Sequence, residues 1–177
     1  IFQGEDITGW SVDRRVRNGL ALAQQLVKPL GSLSLIDNVA LAAGASRMSN
    51  PLAAFMSHER SEEHNKARKL LARVGISNVA ESLPKALPLG HLKRLEVARA
   101  LALNPRLLLL DEPTAGVDPK ARRDFWDRIR KLAAQGVTVL VSTHYMDEAV
   151  QCDFIAFIAY GHKLIDAPAS DIPAAVG

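Results

Sequence analysis

The run Leu107-Leu108-Leu109-Leu110-Asp111-Glu112-Pro113 constrains this chain more than any other stretch. Four apolar residues ending in two adjacent carboxylates read as a buried strand that delivers acid groups to the carboxyl edge of a sheet. Open α/β sheets bind their ligands at that edge. An aspartate there can hold Mg²⁺ beside a nucleotide phosphate, and the glutamate that follows can polarise a water. On this run alone, a strand that simply stops at an Asp-Glu-Pro turn fits as well.

The remainder of the chain supplies elements to flank such a strand. Ile1-Phe2 and Leu20 to Ala23 are predicted as short strands around a helix seeded at Ser11 to Arg15, with Ser11 or Asp13 as N-cap. Leu35 to Ala43 has helical spacing, with Ser34 capping and Asp37 in the first turn. Gly44 to Pro51 is small and polar and reads as a surface connection. Glu59 to Val74 is an amphipathic helix with Ala67, Leu70, Leu71 and Val74 as its apolar stripe, and Gly75 ends it. His58 and His64 fall on or beside its solvated face, at a spacing unsuited to a metal pair. A helix is expected over Leu92 to Leu103, and the stretch from Leu26 to Asn104 is thus mostly helical.

Beyond Pro105 strand and helix alternate. Pro119 to Gln135 reads as a helix with Pro119 in its first turn and Gly136 behind it. Val137 to Ser142, β-branched and apolar, reads as a buried parallel strand. A short helix over Tyr145 to Val150 precedes a strand pair, Phe154 to Ala159 and Lys163 to Ile165, about Gly161.

With 48% hydrophobic and 23% charged residues, the chain matches an α/β globular domain, and 177 residues can bury a sizeable core. A net charge of +3 is too small to argue for nucleic acid, and Lys93, Arg94 and Arg99 are accounted for by a solvated helix face. Cys152 is the single cysteine, so no internal disulfide can form, and a buried reduced thiol is expected. The apolar stretch Phe154 to Tyr160 is far short of the ~20 residues of a membrane helix. No signal-peptide pattern is present, and membrane contact is expected only through a partner.

Five segments in order resemble the ATP-binding-cassette (ABC) ATPases. Leu87-Pro88-Leu89-Gly90-His91 and the helix to Leu101 resemble the signature loop and its helix. The Leu107 run resembles the Walker B strand, Ala115 to Asp118 the D-loop, and His144 after Ser142-Thr143 the switch histidine. Gly19 to Gln25 resembles the strand leading into the Q-loop. The resemblance covers essentially the whole chain. It implies an α/β fold, an incomplete P-loop NTPase core with an inserted helical subdomain: core residues 1–25, helical subdomain 26–104, and core residues 105–177.

The resemblance also implies roles. Asp111 becomes the Mg²⁺-organising carboxylate, and Glu112 the general base or water-positioning group. His144 would sense the γ-phosphate. Gln25, or its neighbour Gln24, would offer an amide oxygen to the metal or the water. Asp118 would act across a dimer interface. Pro88, Leu89, Gly90 and His91 would meet ATP held by the second subunit of a head-to-tail dimer, at a helix start that favours anions. This loop departs from the commonest form: Pro88 stands for a serine, Leu89 for a glycine and His91 for a glutamine. The unperturbed imidazole pKa, about 6.5, puts a charge change at His91 near physiological pH.

No lysine follows a glycine anywhere in the sequence, so it contains no G-x-x-x-x-G-K-[ST] phosphate loop. It opens at Ile1-Phe2-Gln3-Gly4, which resembles the family's segment just after the phosphate-binding helix. The expectation is therefore the C-terminal part of a cassette, inactive alone, with apolar edges of its sheet exposed. As a whole it reads as the ATP- and Mg²⁺-dependent subunit of a transporter, cytoplasmic and peripheral to the inner membrane, working with transmembrane permease subunits. Gly4 to Leu41 and Leu87 to Leu101 resemble branched-chain amino-acid importers, the favoured reading. Asp111 to Gly161 resembles drug or polysaccharide exporters. The rivals are a non-catalytic fragment acting as an interaction module, and a soluble ABC protein serving translation or DNA repair.

Overall fold

Strands β1 (Leu20–Ala23), β2 (Leu107–Asp111) and β3 (Thr138–Ser142) form a parallel sheet in the order β1-β2-β3. They belong to a computed structural model that describes residues 1–24, 26–48 and 60–171. The register sets Leu22 beside Leu109 and Leu109 beside Leu140, one residue on from the Ala21, Leu108 and Val139 row. Side chains alternate faces along a strand, and the burial follows. Ala21, Ala23, Leu108 and Leu110 are buried, whereas Leu22 is 53% and Leu140 57% exposed. The strand at Thr138–Ser142 is thus half covered rather than buried, with Leu140 on the open face of the sheet. The apolar surface anticipated at the sheet edges lies on a sheet face.

Parallel strands need long crossovers, and helices supply them. Helix α1 (Val12–Arg17) precedes β1, capped by Ser11, whose Oγ accepts from the Arg14 amide. Between β1 and β2 come α2 (Leu35–Met48), α3 (Arg60–Arg73) and α4 (Leu89–Ala102), which pack on one another. The stripe Ala67, Leu70, Leu71 and Val74 is buried as expected, and Gly75 ends α3 with φ +75°. Helix α5 (Pro119–Ala134) joins β2 to β3 and buries Phe125, Trp126, Ile129 and Leu132.

Four local expectations need correction. Phe2 makes only an isolated bridge to Glu5, because Gln3 and Gly4 both take positive φ and reverse the chain after two residues. Helix α2 runs through Gly44 instead of ending at Ala43. A Cβ at Gly44 would lie 3.3 Å from Glu63 Oε1, so glycine there allows α3 a close approach. His64 is not a solvated bystander: its Nε2 lies 2.9 Å from Asp37 Oδ1 and ties α3 to α2. Helix α4 starts three residues before Leu92, at Leu89. Residues 49–51 of the expected connection and His58 lie outside the described residues.

The chain divides into two compact units, Ile1–Ser142 and Thr143–Gly177. The second holds a short helix α6 (Met146–Ala149) and the antiparallel pair β4 (Phe154–Ala159) and β5 (His162–Pro168), with Tyr160 and Gly161 at positive φ in the turn. Cys152 is a free thiol there, half-buried, and burial pushes its pKa up. Among the described residues no helix is long and apolar enough to cross a membrane.

Candidate functional site

The carboxyl end of β2 meets three other segments. Asp111 pairs in register with Ser142 of β3, and the Ser142 hydroxyl donates a short hydrogen bond to Asp111 Oδ1. Glu112 then leaves the strand with φ +41°, a left-handed backbone uncommon for a residue with a long side chain. Its N–H donates to the Ser142 carbonyl at 2.9 Å, and its own carbonyl accepts from the Ala115 amide at 3.2 Å. The same carbonyl accepts from Lys93 Nζ at 3.3 Å. Asp111 is exposed and Glu112 half-buried, so both acids stay near the sheet's open carboxyl edge.

Lys93 is a residue the sequence reading misplaced. It is 5% exposed, not on a solvated face. Burial pulls its ammonium below the usual lysine range, against the pull of Glu112, Asp111 and Glu96. Helical spacing could have revealed it, since Gly90, Lys93, Val97 and Ala100 share one buried stripe. Arg94 is largely covered as well and lies 3.7 Å from Asp124 of α5. Ser142 was also missed as a partner of Asp111, because that contact depends on strand register.

After Thr114, which is fully buried, Gly116 turns the chain with φ +73° and leads to Asp118. Asp118 caps α5, its Oδ1 accepting from the amides of Lys120 at 3.1 Å and Ala121 at 2.9 Å. The start of α4 packs on this segment. A Cβ at Gly90 would stand 3.1 Å from Ala121 Cβ, and one at Gly116 would stand 3.3 Å from Leu89 Cδ2. Gly90 therefore has a packing reason of its own. Pro88 holds the N-cap position without a side-chain hydrogen bond, and Leu89 is exposed in the first turn.

His91 sits half-buried in the first turn of α4, and burial, then the Arg94 charge, lowers its pKa. Its charge change therefore moves below the range expected from the sequence. A histidine with a depressed folded pKa contributes stability that is full above about pH 6.5 and is lost as pH falls through the folded value. His91→Gln is expected to flatten the decline in urea midpoint as pH falls below about 6.5. Identical acid limbs for the two proteins would remove His91 as a source of that decline.

The structure thus brings Asp111, Glu112, Ser142 and Lys93 together, and sets Pro88 to His91 against Gly116 to Ala121. Ala23, the last residue of β1, is paired with Leu110, so the segment toward Gln25 departs from the same sheet edge as Asp111. Gln25 itself lies outside the described residues. His144 follows the last residue of β3 by two positions, in the second unit, exposed, with its ring 4.1 Å from that of Tyr145.

As a metal site this arrangement offers hard oxygen donors in small number. Among the described residues no group of three or more His, Cys, Asp or Glu is placed to hold an ion. A single exposed carboxylate beside a serine hydroxyl suits Mg²⁺, which keeps several waters and takes one or two carboxylates together with substrate phosphates. The donor set fits that cation.

The family described as "ABC transporter" matches residues 1–115. The probable multidrug ABC transporter ATP-binding protein YbhF of Escherichia coli (strain K12) is 39% identical over 112 residues, covering 63% of this chain and 19% of that protein. The Nod factor export ATP-binding protein I of Burkholderia lata is 40% identical over 116 residues, 64% of this chain and 38% of that protein. The glutamate transport ATP-binding protein GluA of Corynebacterium efficiens is 34% identical over 154 residues, 86% of this chain and 60% of that protein. The chain spans less than two thirds of the length of these relatives. Among solved structures, MJ1267, an ATP-binding cassette of an ABC transporter, superposes with a TM-score of 0.82 at 26% identity, over 97% of this chain and 70% of that one. A dimeric post-hydrolysis state of the cassette MJ0796, bound to ADP and Pi, gives 0.74 at 25% identity, over 91% and 68%.

Proposed function

Because this chain belongs to the ABC transporter family, we propose that it acts as a nucleotide-binding subunit whose ATP hydrolysis drives solute transport. The observation that carries this reading is the end of β2. There Asp111, held by the Ser142 hydroxyl, is followed directly by Glu112 in a left-handed turn at φ +41°.

Asp111 would hold Mg²⁺, which supplies charge neutralisation on the phosphates. Glu112 would accept a proton from, or orient, the attacking water. His144 and Gln25 would contribute a γ-phosphate contact and an amide oxygen, and residues 88–91 with Asp118 would face a second subunit. That the relative MJ0796 was solved as a dimer with ADP and Pi supports this arrangement. Residues 26–104 would form the helical subdomain between core segments 1–25 and 105–177. Membrane contact would run through permease subunits, with the protein on the cytoplasmic side.

Two readings of the solute have support. The match to a glutamate transport protein over 86% of the chain favours amino-acid transport, and the resemblance of Gly4 to Leu41 and Leu87 to Leu101 to branched-chain importers points to uptake. The multidrug and Nod factor relatives favour export. Reconstitution with the permease in vesicles, following entry of amino acids against exit of an amphipathic drug, separates the two.

The 177 residues contain no glycine-lysine phosphate loop, and its amides and lysine supply most ligands of the β- and γ-phosphates. This polypeptide by itself is therefore expected to hydrolyse no Mg-ATP above background and to bind it weakly at best. The same residues behind a G-x-x-x-x-G-K-[ST] loop are expected to turn over. A low-micromolar dissociation constant by calorimetry, with turnover, for the 177 residues alone would overturn that expectation.

A further inference from the structure

We propose that Lys93 is a positioning residue for Glu112: its buried ammonium grips the Glu112 carbonyl, holds that residue in its left-handed backbone, and thereby sets the direction of its carboxylate. The assignment of Lys93 needs three observations. Lys93 is 5% exposed on α4, although lysine is among the residues least often buried without a specific reason. Its Nζ donates to the carbonyl of Glu112 at 3.3 Å, across 19 residues of sequence. And Glu112 takes φ +41°, a conformation that persists in a long-chain residue only where its surroundings hold it.

The geometry closes around one peptide. On its N–H side Glu112 is fixed to β3 through Ser142, and on its carbonyl side to Ala115 and to α4 through Lys93. With both ends of the residue tied, the Cα–Cβ direction has little freedom, and only the side-chain torsions remain. The ammonium also sits where the charges of Asp111 and Glu112 attract it, which offsets the cost of burying it. Helix α4 begins at the loop Pro88 to His91, so one rigid element carries both that loop and the group that sets Glu112. A shift of α4 along its axis would therefore move the Glu112 turn. If Lys93 served only to fill space with its methylene stem, Met would replace it at little cost.

The test is a double-mutant cycle on the 177-residue chain, with amide exchange as its second readout. Lys93→Met keeps length and removes the donor, and Glu112→Gly removes the backbone conflict, since glycine adopts positive φ freely. Lys93→Met is expected to lower the folding equilibrium constant about thirtyfold in the parent, and no more than about threefold alongside Glu112→Gly. Exchange at the Glu112 and Ala115 amides is expected to accelerate at least about tenfold more than at Leu108 and Leu110. Lys93→Arg, which keeps a donor, should hold those two amides near parental protection, and it serves alone if Lys93→Met does not fold. Equal losses in both backgrounds, or protection at Glu112 and Ala115 that is lost even with arginine, would overturn the proposal.

The functional part rests on Glu112 acting on water. In a hydrolysing protein that carries these residues, Lys93→Met should lower kcat about tenfold or more with the KM for ATP within about twofold. The exchange readout needs no turnover. A cycle that behaves as expected in a protein that never hydrolyses ATP would leave the positioning role standing and remove the ATPase reading instead.

Discussion

Replacing Glu112 by glutamine, in an ATP-hydrolysing protein that carries these residues, is expected to slow hydrolysis about a hundredfold or more while ATP still binds. Glutamine keeps the shape of the side chain and its two-atom head but cannot take a proton from water. Nothing in the substitution disturbs the backbone contacts of Glu112 to Ser142, Ala115 and Lys93, all of which are made by its main chain. Asp111 keeps its Ser142 hydroxyl bond, so the proposed Mg²⁺ carboxylate is untouched. With binding intact and hydrolysis blocked, the nucleotide-bound dimer should accumulate and elute early on size exclusion in Mg-ATP. Turnover at the parental rate would remove Glu112 from the chemistry and leave Asp111 as the one acid at this strand end with a role.

Leu108→Ala is expected to destabilise the first unit by about 2–5 kcal/mol, a large part of the stability of an ordinary domain. Leu108 is 0% exposed on the central strand, and its row on the sheet is closed by Ala21 on one side and Val139 on the other. Small neighbours cannot swell to fill the space left by three carbons, so the cavity term adds to the lost transfer energy. Leu140→Ala is the control, because Leu140 lies on the open face of the same sheet, and a loss within about 0.5 kcal/mol is expected. Urea unfolding followed by far-UV circular dichroism reads both variants. Similar losses at the two positions would show that the Leu22, Leu109 and Leu140 face is covered in solution.

That contrast also marks where a one-dimensional reading stops. Val137 to Ser142 has the composition of a strand buried on both faces, and composition reports a preference for burial, not whether anything is there to do the burying. Only the folded sheet shows which of its residues are covered, with Val139 and Val141 half-buried and Leu140 exposed. The same limit applies to Gly44, where glycine reads as a helix stop until the close approach of Glu63 is visible.

The sequence by itself determined whatever depends on near neighbours along the chain. Ser11, Gly75 and Pro119 act where local capping and turn chemistry put them, within one helical turn of the groups they serve. The leucine run and its acids made β2 and its chemistry legible because a strand's period and its charged end lie in consecutive residues. Tertiary structure alone decided which distant groups meet those acids. Ser142 reaches Asp111 only through the parallel register of β2 and β3. Lys93 reaches Glu112 only because α4 packs its buried stripe toward the end of that strand. The left-handed turn of Glu112 is likewise invisible in composition: glutamate does not favour it, and contacts arriving from β3, Ala115 and α4 hold it there.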